Sequence, residues 1–219
     1  MKKYLEILKE CPLFRDVSED SLTVMLHCLG ARVESFDKKY TVFAQGAPAR
    51  YIGIVLSGSV QIVQNDYYGN RSILSHVSPP QVFSEAFACA GLSSLPVSVV
   101  ANEWSEVMLI DCSYILHTCE KHCVHHQKLI YNLMKDLAEK TVHFHQKMEI
   151  TSKRSTREKL MAYLNAMARD RGSDRFEIPF DRQELADYLE VDRSGLSVEI
   201  GKLKREGVIR CEKNRFELL

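Results

Sequence analysis

Ten residues, His117 to His126, hold four histidines and two cysteines. If the run is helical throughout, Cys119, His122, Cys123 and His126 share one face at steps of three and four. Two thiolates and two imidazoles would make a tetrahedral zinc set, or the thiols a redox pair. A plainer reading stands beside this one. His126 extends the apolar stripe of the helix that follows, and buried cysteines pack as small apolar residues.

A second stretch suits different chemistry. Asp181 to Gly207 reads DRQELADYLEVDRSGLSVEIGKLKREG. Asp181 caps a helix and Glu184 completes a capping box. Leu185 and Leu189 share a face, with Ala186 small enough for a close crossing. Glu190-Val191 makes a turn, and Asp192 caps a second helix with its stripe at Leu196, Ile200 and Leu203. That is a helix-turn-helix pattern, whose second helix lies in the DNA major groove. Its exposed face is expected to present Arg193, Ser194, Ser197, Val198 and Lys202, with Arg182 and Gln183 leading the first helix. Arginine reads guanine by a bidentate fork, serine reaches bases or phosphates, and valine meets a thymine methyl. Two short strands follow, Gly207–Arg210 and Arg215–Leu218, joined by a polar turn Glu212-Lys213-Asn214, as a hairpin wing. An αα-hairpin used only for packing is the alternative.

The elements that position these groups fall into three parts. Residues 1–120 open with two short helices split by Pro12. Short β-branched runs then recur from Arg32 to Asp111, punctuated by Gly46, Ser57-Gly58, Tyr68-Gly69-Asn70 and Pro79-Pro80, as in an all-β roll or sandwich. A helix-and-loop insert interrupts the strands between Phe83 and Pro96. Residues 121–150 form a long helix, with Ile130, Leu133, Leu137, Phe144 and Met148 close to a/d spacing, extended backwards by His126. Such a stripe favours pairing with a second copy over packing on the same chain. Residues 151–219 hold one more helix, a strand at Phe176–Ile178, and the winged helix-turn-helix. The fold class expected is α+β: an N-terminal double-stranded β-helix (a jelly-roll-like β-roll), a dimerisation helix, and a C-terminal winged helix-turn-helix.

Composition narrows the function. The chain has 219 residues, 29 basic against 29 acidic, and seven cysteines at irregular spacing. An odd cysteine count argues against a disulfide framework and for a reducing cytoplasm. No apolar run reaches membrane-spanning length, and the charged N-terminus lacks the apolar core of a signal peptide. Basic excess is confined to the later part: 9 Lys+Arg stand against 13 Asp+Glu in residues 1–120, and 15 against 13 in 151–219. DNA affinity must then come from placed phosphate contacts doubled by dimerisation. No G-x-S-x-G, H-E-x-x-H or P-loop is present, so no enzyme is expected.

The order of β-roll, long helix and winged helix-turn-helix resembles the CRP/FNR family of bacterial transcription regulators across nearly the whole chain. The most specific segments are Tyr51–Val60, Phe83-Ser84-Glu85 (where the family has Phe-Gly-Glu) and Arg182–Ala186. The resemblance implies a homodimer on an inverted DNA repeat, RNA polymerase as a partner, and a small-molecule effector. In CAP, the family's best-known member, the second helix of this motif lies in the major groove.

Departures from the family pattern matter. Cyclic-nucleotide-binding members carry an Arg-Ser pair where this chain has Leu95-Pro96. A leucine cannot neutralise a buried phosphate. Cyclic AMP is therefore not expected to bind. An iron–sulfur cluster is not expected either, since Cys11 and Cys28 stand far apart. The expected effector pocket is lined by Phe83, Ser84, Glu85, Phe87, Leu92, Leu95, Pro96 and Val97, with Glu85 as its charged group. Two alternatives remain: a metal- or redox-sensing regulator built on the Cys119/His122/Cys123/His126 cluster, and a small-molecule-binding module without DNA binding.

Overall fold

Strand-forming runs between Arg32 and Asp111 do pair, as a computed structural model describing residues 2–116 and 124–219 shows. The chain folds as two compact units, residues 1–65 with 74–141, and residues 66–73 with 142–219. The expected boundary at residue 150 thus lies nine residues further along, and the turn between the fourth and fifth strands belongs with the second unit.

The first unit opens with α1 (Leu5–Lys9), a 3₁₀ turn led by Pro12, and α2 (Glu19–Cys28), capped by the Ser18 hydroxyl. The strands are β1 (Arg32–Phe36), β2 (Thr41–Phe43), β3 (Tyr51–Ser57), β4 (Val60–Asn65), β5 (Arg71–Val77), β6 (Val82–Phe83), β7 (Ser98–Ala101) and β8 (Ser105–Asp111). They form two four-stranded sheets, ordered β1-β8-β3-β6 and β2-β7-β4-β5. Neighbours in sequence are mostly not neighbours in a sheet, as in a jelly roll. Phe36, Val55, Val60, Val77, Phe83, Val99, Val107 and Leu109 form one apolar core among the strands. Gly53 faces Phe83 across the β3/β6 pair, and a Cβ added there would lie 2.1 Å from the ring. Only glycine admits that ring.

Two short helices follow in the sheet region, α3 (Glu85–Cys89) and α4 (Ser113–Leu116). The long helix α5 runs Val124–Thr151. Leu129 and Leu133 enter a second core with Leu8, Phe14, Leu22, Leu26, Ile54 and Ile110. Asn132 secures the same face, its amide donating to Leu13 O at 3.1 Å and Arg15 O at 2.9 Å.

In the second unit, α6 (Thr156–Arg171) starts at a full capping box of Ser155 with Glu158 and ends at Gly172. Next come β9 (Arg175–Glu177), α7 (Arg182–Leu189), α8 (Arg193–Arg205), β10 (Ile209–Glu212) and β11 (Arg215–Leu218). The three strands order as β10-β11-β9, all antiparallel. No described helix is long and apolar enough to cross a membrane.

Candidate nucleic-acid interface and effector region

The α7–turn–α8 segment is built from caps and a leucine seam. Asp181 Oδ1 accepts from the Glu184 N–H at 2.9 Å, and Glu184 Oε2 accepts from the Asp181 N–H at 2.8 Å. Glu190 ends α7 at φ 54, a left-handed conformation costing roughly 1 kcal/mol for a non-glycine residue. Lys159 compensates, its ammonium donating to Leu189 O at 3.3 Å and Glu190 O at 3.2 Å. A cation there also meets the negative end of the helix dipole. Asp192 caps α8, accepting from the Gly195 N–H at 2.8 Å. Hydrogen bonds from the Ser194 hydroxyl and the Gly195 N–H hold the Asp192 carboxyl below the usual carboxylate range. Leu185, Ala186 and Leu189 are buried, as are Leu196, Ile200 and Leu203.

The opposite face of α8 is open. Arg193, Ser194, Ser197, Val198 and Lys202 are all exposed. The Arg193 guanidinium has no hydrogen-bond or ion-pair partner among the described residues. The others are partly engaged: Ser194 with Asp192, Lys202 with Glu199, and Ser197 Oγ donating to Arg193 O at 3.0 Å. Gln183 is exposed at the start of α7 and donates to Asp187 Oδ1 at 2.7 Å.

Arg182 is placed differently from its expected role as a freely presented DNA ligand. Its Nη2 donates to Lys213 O at 3.3 Å and approaches Cys211 Sγ at 3.5 Å, with the guanidinium over the Phe216 ring. It therefore pins the tip of the β10–β11 wing to the start of α7. Lys213 sits at that tip with φ 53. The sequence places Lys213 in this turn without assigning it a role, and its carbonyl is the group that Arg182 holds.

The insert in the first unit departs from the expected pocket. Phe83, Ser84, Glu85, Leu95 and Val97 are buried, Phe87 is half-buried, and Leu92 and Pro96 are exposed. Leu92 and Pro96 therefore do not line an interior site. The Phe83 ring is spent on Gly53 and on Phe43, 5.6 Å away between ring centres. Ser84 adopts φ 64, the left-handed conformation its glycine counterpart accepts freely. Its buried hydroxyl has no hydrogen-bond partner among the described residues.

Glu85 is not a free charge awaiting an effector. Its Oε1 accepts from Lys140 Nζ of α5 at 2.9 Å. Lys140 also donates to Val82 O at 2.7 Å and lies 2.8 Å from Asp136 Oδ2. Two buried carboxylates thus share one lysine. Burial pushes the Asp136 carboxyl up, against the pull of Lys140.

The stripe assigned to α5 also needs correction. Leu133 is 3% exposed and packs in its own unit's core, with Leu137 partly buried against the same core. Met134, one residue on, is 64% exposed. Tyr131, Val142, Phe144 and Met148 are exposed as well, and Ile130 is intermediate. The reason is that the helix carries two apolar faces. Leu133 and Leu137, expected in one seam with Ile130, Phe144 and Met148, belong instead with Leu129 to the face packed on the core. His126 is half-buried, its Nε2 2.6 Å from Ile115 O. Cys119, His122 and Cys123 of the proposed metal or redox set lie outside the described residues.

Lys147 is a feature the sequence did not flag. It is buried in the second unit, donating to Ile73 O, with its ammonium 3.9 Å from the Tyr188 ring centre. Burial lowers its pKa from 10.5 to about 8.

Comparison with known proteins gives these arrangements a family. The family profile described as "Cyclic nucleotide-binding domain" matches residues 33–122, and "Crp-like helix-turn-helix domain" matches 158–219. A curated relative, the transcriptional activator protein FnrL of Cereibacter sphaeroides, is 23% identical over 194 residues, spanning 84% of this chain and 75% of that one. FixK2 from Bradyrhizobium japonicum superposes with a TM-score of 0.68 at 20% identity, over 86% of this chain and 92% of that one. CLP of Xanthomonas campestris, described as a c-di-GMP-responsive global regulator, gives 0.75 at 16% identity, over 91% and 99%. With a jelly-roll domain of the cyclic-nucleotide-binding kind followed by a long helix and a Crp-like helix-turn-helix, the chain belongs to the CRP/FNR family of DNA-binding transcription regulators.

Proposed function

We propose that the chain acts as a homodimer on an inverted DNA repeat, recruits or blocks RNA polymerase there, and answers to an effector other than cyclic AMP. The observation that carries the DNA reading is Arg193, exposed on the first turn of α8 with its guanidinium unpartnered among the described residues. An arginine so placed enters the major groove with its fork unspent. Arg193→Ala should weaken binding to the best site by about 1–3 kcal/mol and relax preference at one base pair per half-site. Fluorescence anisotropy on operators selected from a random duplex pool measures this. Equal affinity of the two proteins for that operator would sink the reading. So would binding with no salt dependence, the behaviour of a helix-turn-helix used for protein contact alone.

Support for dimerisation comes from the exposed apolar residues of α5. Ile130, Met134, Phe144 and Met148, with the exposed Thr141 between them, fall on one face at coiled-coil spacing, and the partly buried Leu137 lies between this face and the core. Support for a different effector comes from Leu95, buried where the family's arginine would meet a cyclic phosphate. Glu85 is turned to Lys140 in the same unit.

A further inference from the structure

Two thiols meet in the first unit, away from the His/Cys run. Cys89, the last residue of α3, and Cys112, the residue after β8, have sulfurs 3.5 Å apart. Cys112 is buried and held from both sides. Its N–H donates to Arg50 O at 3.0 Å, and its carbonyl accepts from the Ile115 and Leu116 N–H groups, each at 3.0 Å. Cys89 is partly exposed, and the residues after it, Ala90 to Ser94, are exposed. One sulfur is therefore anchored in the core, and the other belongs to a partly exposed residue at the end of a short helix. A disulfide needs sulfurs about 2.05 Å apart. Closing the gap displaces only the end of a five-residue helix, where the following turn passes through Gly91 at φ 65.

We propose that Cys89 and Cys112 form a reversible intramolecular disulfide, with a small neutral peroxide as oxidant. Cys89 is the attacking group. The hydrogen bond between the sulfurs holds its thiol below the usual range and raises that of Cys112, which burial raises further. Cys11 offers a contrast, since burial in the core pushes it up to about 12 and leaves it inert. The nearby Glu85 carboxylate opposes negative charge at Cys89. That disfavours anionic disulfides and leaves an uncharged peroxide as the suitable oxidant.

The chemistry balances with the two thiols and one peroxide. The Cys89 thiolate attacks a peroxide oxygen. An S–O bond forms, the O–O bond breaks, and the departing hydroxide takes a proton to become water. Cys112 sulfur then attacks the Cys89 sulfenic sulfur. The S–S bond forms, the S–O bond breaks, and the leaving hydroxide takes the Cys112 proton as a second water. A dithiol restores both thiols by exchange. The bridge would tie the end of α3 to the anchored end of β8. The start of α3 is already held by Glu85 on Lys140 of α5. Oxidation would therefore fix both ends of α3 within this unit.

The test uses the full reduced chain, equimolar hydrogen peroxide, thiol blocking, and mass spectrometry of a non-reduced chymotryptic digest. Chymotrypsin is chosen because Trp104 offers a cut between the two cysteines, whereas no lysine or arginine lies between Arg71 and Lys121. The expected product is a Cys89–Cys112 linked peptide pair lighter by two hydrogens, lost on adding dithiothreitol. In Cys112→Ala, Cys89 should instead be captured by dimedone as the sulfenic acid. If that variant does not fold, the wild-type map still decides. Blocked, unlinked Cys89 and Cys112 after peroxide treatment would overturn the proposal, and so would Cys89 linked to any other cysteine.

Discussion

A single buried ammonium gives the sharpest test at the scale of one residue. Lys147 titrates near 8 in the fold against 10.5 when unperturbed. Between those values the unfolded chain binds the extra proton and the folded chain does not. Stability contributed by this site therefore rises with pH across that window, and is constant and lowest below it. From pH 7.5 to 9.5 the gain should approach about 2 kcal/mol. Lys147→Met keeps the length and removes the titration, so the difference between the two proteins should carry the slope. Tyr163, buried, and Tyr188, half-buried, both with pKa values raised by desolvation, act in the opposite direction only at higher pH. Unfolding of the second unit can be followed by ellipticity, since the one tryptophan, Trp104, reports the first. Parallel stability curves for the two proteins would rule out a lowered pKa for Lys147 in that site. Nothing in the sequence marks this lysine, because it sits among other helix-surface lysines at similar spacing. Asp181, Asp192 and Glu184 were legible for the opposite reason. A cap acts within three residues of itself, so its whole mechanism is local. The same holds for Glu190, whose position in a turn announces the left-handed backbone later seen.

At the scale of elements, α5 shows where periodicity stops being informative. A helix apolar on one stripe has one interpretation, but Leu129, Leu133 and Leu137 sit beside Ile130, Met134 and Phe144, and the two sets merge into one broad band. Which set faces its own core depends on β3, β8 and α2, far away in sequence. Only the tertiary structure separates them. The consequence is a pair of opposed substitutions. Met134→Glu places a carboxylate on the exposed face and should give folded monomers, because two facing carboxylates in an apolar seam lose hydration without gaining partners. Leu133→Glu places the same group in the core of the first unit, and should unfold that unit. Sedimentation velocity with Trp104 fluorescence distinguishes these outcomes. A Met134→Glu protein that stays dimeric would remove the proposed seam. The strands were readable from β-branched runs and turn residues, and the insert from the break in that pattern. The content of the insert was not. Its buried set is chosen by long-range partners, Gly53 for Phe83 and Lys140 for Glu85.

For the whole molecule the question is what the first unit recognises. An effector changes operator affinity only by its differential affinity for the DNA-competent arrangement. A ligand that cannot bind cannot contribute. Cyclic AMP carries a phosphate whose charge must be met once buried, and an unmet charge costs several kcal/mol. The family meets it with an arginine. Leu95, the residue proposed for that position, is 3% exposed, with its backbone tied to Ala47 O and Gly46 N at 2.8 Å each. Lys140, a cation beside the insert in the same unit, is already shared by Glu85 and Asp136. Titration calorimetry should therefore show no cyclic AMP binding in the micromolar range, and operator affinity should be the same with and without the nucleotide. Leu95→Arg supplies the missing charge and should create measurable binding if the position is equivalent to the family's. Micromolar affinity of the unaltered chain for cyclic AMP, with tighter operator binding in its presence, would overturn the Leu95 argument. The two proteins measured together separate the causes. Binding gained only with the arginine would show a retained phosphate site lacking its counter-charge. Binding in neither would show that the buried side chains of the insert, Phe83 and Val97 among them, close the site as well.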